Sequence, residues 1–457
     1  MAALSPRFVG RRWTLVGLVL AMFLSAIEAT VVATALPTIV HDLGGDARYG
    51  WVNIAYLLAS TVAIPLYGKL ADRHGRAPLL YIGLLLFALG SLVSGFAPTF
   101  DLLVLGRVIQ GAGAGAIQPV TLTIVGDLWE VHERGKVQGI IGAVWGTSGA
   151  IGPLLGSLLA TTIGWRWIFW INIPFALAAI GIVALAYREP ARVRSSVPLD
   201  RLGVLCTAVG AFALLLAIEQ VATLPMAILS AAAFGALIYV EGRAADPVIP
   251  VQILRSPRLG TGIALLGLVG AMMMVVLTWL PLRLIAGGGS IAASAALSPL
   301  LLGWPIAASR SPALMIKNGR QATIRLGALL LAIGALALAG FVSSSAPIWL
   351  LAVIMFVMGL GFGLLSTTTV VDAQSTVAHG QRGVVTALGA FSRFLGGAIG
   401  VAALGALRGL PGPIAGHGMT WVFVGLAGVG LVTMVVAMGY AHDMHVEVPS
   451  AAHVNAR

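Results

Sequence analysis

Glu28 is the one carboxylate set deep inside an apolar stretch of this chain, in Ile27-Glu28-Ala29-Thr30-Val31-Val32. Arg107 is set deep inside another, in Arg107-Val108-Ile109-Gln110-Gly111-Ala112-Gly113. An ionised side chain at mid-bilayer costs about 2.5–3.5 kcal/mol on insertion scales, so it ordinarily has a partner and a task. At about 1.5 Å per helical residue, Glu28 lies roughly 15 Å and Arg107 roughly 9 Å from the same edge of the layer, depths that permit contact. Desolvation favours a neutral carboxyl group and a neighbouring guanidinium favours an ionised one, which is the competition a proton-exchange site needs. Glu28 and Arg107 are therefore read as a proton-coupling pair, with a purely structural ion pair as the plainer alternative. Asp127 and Asp372, near the ends of their stretches, are the next carboxylates in line.

A second cluster is Gly68-Lys69-Leu70-Ala71-Asp72-Arg73-His74-Gly75-Arg76, whose glycines permit a tight turn and whose single acid stands among cations. Asp72 is expected near Gly383, at the start of a later helix whose dipole favours an anion by about 0.3–1 kcal/mol. Gly68, Asp72, Arg73, Gly75, Arg76, Arg134 and Gly383 form the expected gate. Other chemistry is missing: the eight histidines fall in loops, helix ends or the tail. No phosphate-cradling loop is present either. An enzyme, a metal site, a cofactor and ATP-driven pumping are not expected.

These residues must be positioned by membrane helices. Hydrophobic residues make up 59% of the 457 positions and charged ones 9%, far below the quarter typical of soluble domains. The apolar runs are continuous rather than alternating, which points to helices and not a barrel. An all-α polytopic membrane protein follows, with fourteen spans expected at 13–37, 50–69, 78–97, 101–125, 137–162, 166–187, 202–220, 223–242, 259–285, 292–310, 325–343, 347–371, 383–408 and 419–441. The net charge of +11 comes mostly from loops on one side. By the positive-inside rule that side is cytoplasmic and holds both termini. Nucleic acid is not an expected partner, and the single cysteine, Cys206, allows no internal disulfide.

The chain also repeats itself. Gly111, Gly113 and Gly115 recur 248 residues later as Gly359, Gly361 and Gly363, and Arg134-Gly135 recurs as Arg382-Gly383. Gly75-Arg76 recurs at 244 residues as Gly319-Arg320. Asp72 and Arg107 have no charged counterpart, their places being taken by Ile316 and Met355. A duplicated six-helix unit predicts an amino-terminal bundle over 1–190, a linker with two inserted helices over 191–256, and a carboxy-terminal bundle with a short tail over 257–457. Two bundles facing a central cavity suit alternating access. The polar and aromatic residues nearest mid-span are the substrate-binding candidates: Trp51, Asn53, Tyr56, Gln110, Gln118, Trp145, Met273 and Arg393.

Several of these strings resemble one family. The Gly68–Arg76 loop and the Arg107–Gly113 run are similar to two signatures of the major facilitator superfamily. Gly149, Gly152, Pro153 and Gly156 resemble the antiporter motif of its drug-efflux members. Trp165-Arg166-Trp167-Ile168-Phe169-Trp170-Ile171-Asn172-Ile173-Pro174 and Phe391-Ser392-Arg393 resemble the fourteen-helix drug:proton antiporters, which ordinarily carry Asp where this chain has Glu28. The resemblance implies a monomeric bacterial plasma-membrane exporter of lipophilic, cationic small molecules, driven by the proton gradient alone. Proton-coupled uptake, or lipid or metabolite transport by the same fold, is the alternative it leaves open.

Overall fold

The computed structural model describes residues 6–44, 50–189, 200–218, 222–244, 247, 249, 251–285, 290–342, 348–407 and 418–440. Its helices are α1 Pro6–Leu43, α2 Trp51–His74, α3 Arg76–Phe96, α4 Phe100–Leu128, α5 Val131–Thr162, α6 Trp167–Trp170, α7 Asn172–Ala186, α8 Arg201–Ile218 and α9 Thr223–Glu241. They continue with α10 Val251–Arg255, α11 Pro257–Ile285, α12 Ser290–Asn318, α13 Arg320–Val342, α14 Ile348–Thr376, α15 Arg382–Ala406 and α16 Gly418–Met438. No strand occurs among the described residues. Lipid supplies no partner for peptide groups, so continuous apolar runs close their hydrogen bonds within a helix.

Twelve helices among the described residues are long and apolar enough to cross a membrane. A thirteenth crossing follows if Val131–Gly149 and Leu154–Thr162, bent by 46°, are one broken span. The expected fourteenth would be α12, which carries Pro299, Pro305, Pro312 and Lys317 and lies outside that set. The expected sixth span is present as Trp167–Ala186, with a turn at Ile171 between α6 and α7. Pro174 has no N–H to offer the carbonyl of Trp170, so one hydrogen bond of that span is missing.

The duplication is visible in the packing. A side chain on Gly111 would strike the Tyr56 carbonyl, one on Gly113 the Gly83 carbonyl, and one on Gly115 the Ser60 carbonyl. Gly359, Gly361 and Gly363 meet the carbonyls of Leu300, Gly327 and Trp304 in the same way. Each of these partners lies 244 residues beyond its counterpart. Small residues let α4 settle on α2 and α3, and α14 on α12 and α13, where contact alone holds helices together in lipid. Gly75 (φ 108°) and Gly319 (φ 84°) make the equivalent turns into α3 and α13, in the left-handed region where a side chain is strained.

Of the apolar clusters that result, the two largest are drawn from α1–α5 and α7 and from α11–α16. The inserted pair α8 and α9 packs on itself, with Ser230 donating to the Gly210 carbonyl at 2.9 Å. Ala211 of α8 joins Ile64, Ala387 and Phe391 at the seam between α2 and α15. The linker residues 190–199 and the tail after 440 lie outside the described residues.

Candidate functional site

Glu28 and Arg107 meet where the first large apolar cluster, at Tyr56, adjoins a smaller one around Val52 and Phe169. Their side chains form an ion pair between α1 and α4, and both residues are about as buried as the surrounding leucines. The guanidinium also donates to the Val52 carbonyl at 2.9 Å and to Gln110 Oε1 at 2.6 Å. Its flat face lies 4.4 Å from the ring centre of Tyr56, and Phe169 stands at 5.8 Å. The other carboxylate oxygen of Glu28 accepts from Asn172 Nδ2 at 2.7 Å. Ser91 closes the network by accepting from Gln110 at 2.8 Å. Removing one partner of such a buried pair costs about 3–5 kcal/mol, because the other charge is stranded.

The helix-six signature now has a physical content. Asn172 reaches Glu28, Phe169 walls Arg107, and Trp165 donates its indole N–H to Asp42 at 2.9 Å. Asn172 and Ser91 were not singled out as partners, since helix rotation is not written in one sequence. The only available signal was an asparagine inside a span, where an amide needs a partner.

Asp72 sits at the first turn of α15. Its Oδ1 accepts from the Gly383 N–H at 3.0 Å and its Oδ2 from Val384 at 2.7 Å. Arg76 pairs with Asp72 and with Asp127, each at 3.0 Å, and donates to the His379 carbonyl at 2.8 Å. Arg382 reaches back to Asp127 at 3.2 Å, and Gln374 donates to the Leu122 carbonyl at 3.0 Å. The contacts of Asp72, His379, Arg382 and Gln374 cross between the two repeats. Arg134 instead holds the α4–α5 turn, bonding the carbonyls of Trp129 and Gly126 at 2.9 and 2.6 Å. Gly68 admits α15 against α2, while Arg73 is half-buried on the same turn. Glu189 caps α3 through the N–H groups of Arg76 and Ala77, at 2.9 and 2.8 Å, a role nothing in its local sequence signals.

The equivalent crossing, α5 on α12, lacks this network. Gly135 there meets Pro312 and Ala308, and Ile316, the counterpart of Asp72, is exposed. The second repeat has its own buried acid: Asp372 pairs with Arg258 and with Arg320, the latter at 3.1 Å. Tyr440 also donates to Asp372 at 2.6 Å. Burial, followed by the Asp372 charge, pushes the Tyr440 hydroxyl well above the ordinary tyrosine range, so it stays a donor.

Above the Gln374–Leu122 link, a cavity of about 820 Å³ (open space included) lies between the repeats. Its wall comes from α1, α4, α5, α11, α12, α14 and α15. Gln118, Trp145, Met273 and Arg393, expected to bind substrate, are on this wall. Trp51, Asn53, Tyr56 and Gln110 are not. Tyr56 and Gln110 turn instead toward Arg107, because an arginine in lipid draws the nearest polar and π groups to itself. Trp51 packs against the apolar cluster around Val52 and Phe100. Gly152 and Gly156 pack against Thr30 and Thr34 of α1, and Gly149 faces Leu301 of α12. The side chain of Pro153 lies outside those described. The expected cationic cargo finds no carboxylate on this wall, whose one charged residue is Arg393. Two unit charges 4 Å apart interact by about 4 kcal/mol at an effective dielectric of about 20. That exceeds the roughly 0.5–2 kcal/mol a cation gains from an aromatic face.

Two helical repeats, a cavity between them and a polar network at one end define the class of fold. The major facilitator superfamily model matches residues 18–401, and the chain belongs to that superfamily. An uncharacterized MFS-type transporter of Mycobacterium tuberculosis (strain CDC 1551 / Oshkosh) is 33% identical over 88% of this chain. The chain spans 60% of that relative's length. Multidrug resistance protein 3 of Bacillus subtilis (strain 168) is 30% identical over 87% of this chain and 79% of its own. Among solved structures, the human organic anion transporter MFSD10 (TETRAN) superposes with a TM-score of 0.70 at 17% identity. That match covers 93% of this chain and 99% of that one, and at such identity it speaks for the fold alone.

Proposed function

We propose that this chain exports lipophilic small molecules in exchange for protons, through a fourteen-helix arrangement of two six-helix bundles and an inserted pair. The bundles span 1–190 and 257–457, and α12 completes the count as a proline-bent crossing. The observation that carries the reading is Glu28, a buried carboxylate whose two oxygens are taken by Arg107 and Asn172. It has no charged counterpart in the second repeat, where Met355 replaces Arg107. A proton arriving at Glu28 neutralises one member of the pair and frees Arg107 to seek other acceptors. That event shifts the packing of α1 against α4, and with it the cavity. The gate role falls to Asp72, whose charge on the α15 amino terminus favours the state closed at that end. Excess cations place this end in the cytoplasm of a bacterial plasma membrane. The conformation described here is then the outward-facing one.

The test is transport of a panel of dyes, antibiotics and lipids by everted vesicles and by whole cells. Export predicts proton-dependent accumulation in everted vesicles that Glu28→Gln abolishes with expression unchanged. Accumulation by whole cells alone would replace export with proton-coupled uptake.

A further inference from the structure

The central cavity carries a charge for which the described residues supply no counterion. Arg393 is on its wall together with Gln118, Trp145, Trp304 and Phe394, and none of the lining residues is an acid. Among the described residues no ion pair involving Arg393 is found. The acids of the transmembrane region are already engaged: Glu28 by Arg107 and Asn172, Asp72 by Arg76 and α15, Asp127 by Arg76 and Arg382, and Asp372 by Arg258 and Arg320.

We propose that the cavity takes lipophilic anions, molecules with an apolar, ring-bearing body and one acidic group, and that Arg393 holds the acidic group. The assignment rests on the transport reading above and names its substrate class. A guanidinium facing an apolar pocket is incompletely satisfied, and a carboxylate, sulfonate or phosphate completes it with charge-assisted hydrogen bonds. The position is rigid. Gly270 of α11 abuts the Arg393 carbonyl, Gly396 abuts Gly267, and Ser392 donates to the Ile263 carbonyl at 2.8 Å. The backbone of α15 is thereby packed closely on α11 at the residues flanking Arg393, whose side chain is on the cavity wall. Gln118 is buried on the same wall, and its Oε1, an acceptor without a hydrogen-bond partner among the described residues, suits an N–H or O–H on the body of the molecule rather than the acidic group. Trp145, Trp304 and Phe394 supply flat surfaces for an aromatic body. Those rings would also attract a cation, but a like charge on the same wall opposes it more strongly.

The experiment compares 1-naphthalenesulfonate with 1-naphthylmethylammonium, ions with the same ring system and opposite charge. Their binding to the purified full-length chain in nanodiscs is measured by calorimetry, with empty nanodiscs subtracted. The anion is expected to bind at least about tenfold more tightly, the ratio for one well-made charged contact. Arg393→Gln brings the two ions to within about threefold, and Arg393→Lys keeps the preference. Equal binding of the two ions, or a preference for the cation in the unsubstituted protein, overturns the proposal even if Arg393→Gln cannot be purified. An anion preference that survives Arg393→Gln overturns the role of Arg393. Proton-driven flux of the same ions in proteoliposomes is a separate readout: anion-selective binding without flux of any tested compound counts against the transport reading and leaves the charge of the site intact.

Discussion

At the scale of single residues, a coupling role for Glu28 and a merely structural role for its ion pair predict different double variants. Arg107→Ala strands the Glu28 charge and should lower thermal stability by about 3–5 kcal/mol. Replacing both charges, in Glu28→Leu with Arg107→Met, should restore most of that loss, since apolar substitutes for a buried pair are often neutral. If the pair is structural, proton-driven transport recovers along with folding; the coupling reading predicts a well-folded protein with no gradient-driven accumulation. Asn172→Ala should cost about 1.5–3 kcal/mol, the worth of a hydrogen bond to a charged group, and thermal unfolding measures it directly. Glu28 and Arg107 were legible in the sequence because a charge in an apolar run is conspicuous. Asn172, Ser91 and Gln110 were not, because their roles depend on which way each helix is turned. The same ignorance of rotation explains why Tyr56 and Gln110 were expected on the cavity wall.

At the scale of elements, the repeats predict symmetric costs for packing and asymmetric costs for charge. Gly113→Val and Gly361→Val should each lower folded yield, since each side chain would meet an equivalent backbone carbonyl, of Gly83 or Gly327. Fluorescence size-exclusion profiles of the two variants should match. A normal profile for one and collapse of the other would mean that the packing is not equivalent. Asp72→Asn removes the anion from the start of α15, which favours it by about 0.3–1 kcal/mol, up to roughly 2 when partly buried. The population closed at that end should fall by about two- to thirtyfold, as read from spin-label distances between α2 and α15. Ile316→Asp, at the equivalent place on α12, should change the distribution far less, because Ile316 is exposed. The duplication and this asymmetry were readable from glycine spacing and from the missing acid at 316. The turn at Ile171 leaves no mark on the apolar run, and Pro174 is its one local sign.

At the scale of the whole molecule, the two halves meet through polar contacts at one end and enclose a cavity above them. One buried carboxylate lies off that cavity, in the first half. The coupling claim therefore requires Glu28 to act on the cavity through α1 and α4 rather than by touching the cargo. Composition alone made the membrane architecture readable, because 59% hydrophobic residues leave no other solvent for the surface. The cavity's charge was not readable, since Arg393 lies in a string that resembles a family motif and gives no hint that its partner is missing. The most direct measurement is made on proteoliposomes with a compound that the dye panel shows to be transported. Substrate exchange without a proton gradient and accumulation driven by one are compared in the unsubstituted protein and in Glu28→Gln. Exchange retained with gradient-driven accumulation abolished is the predicted result. Accumulation that follows the gradient undiminished in Glu28→Gln would contradict it and move the coupling site to another carboxylate, Asp127 or Asp372.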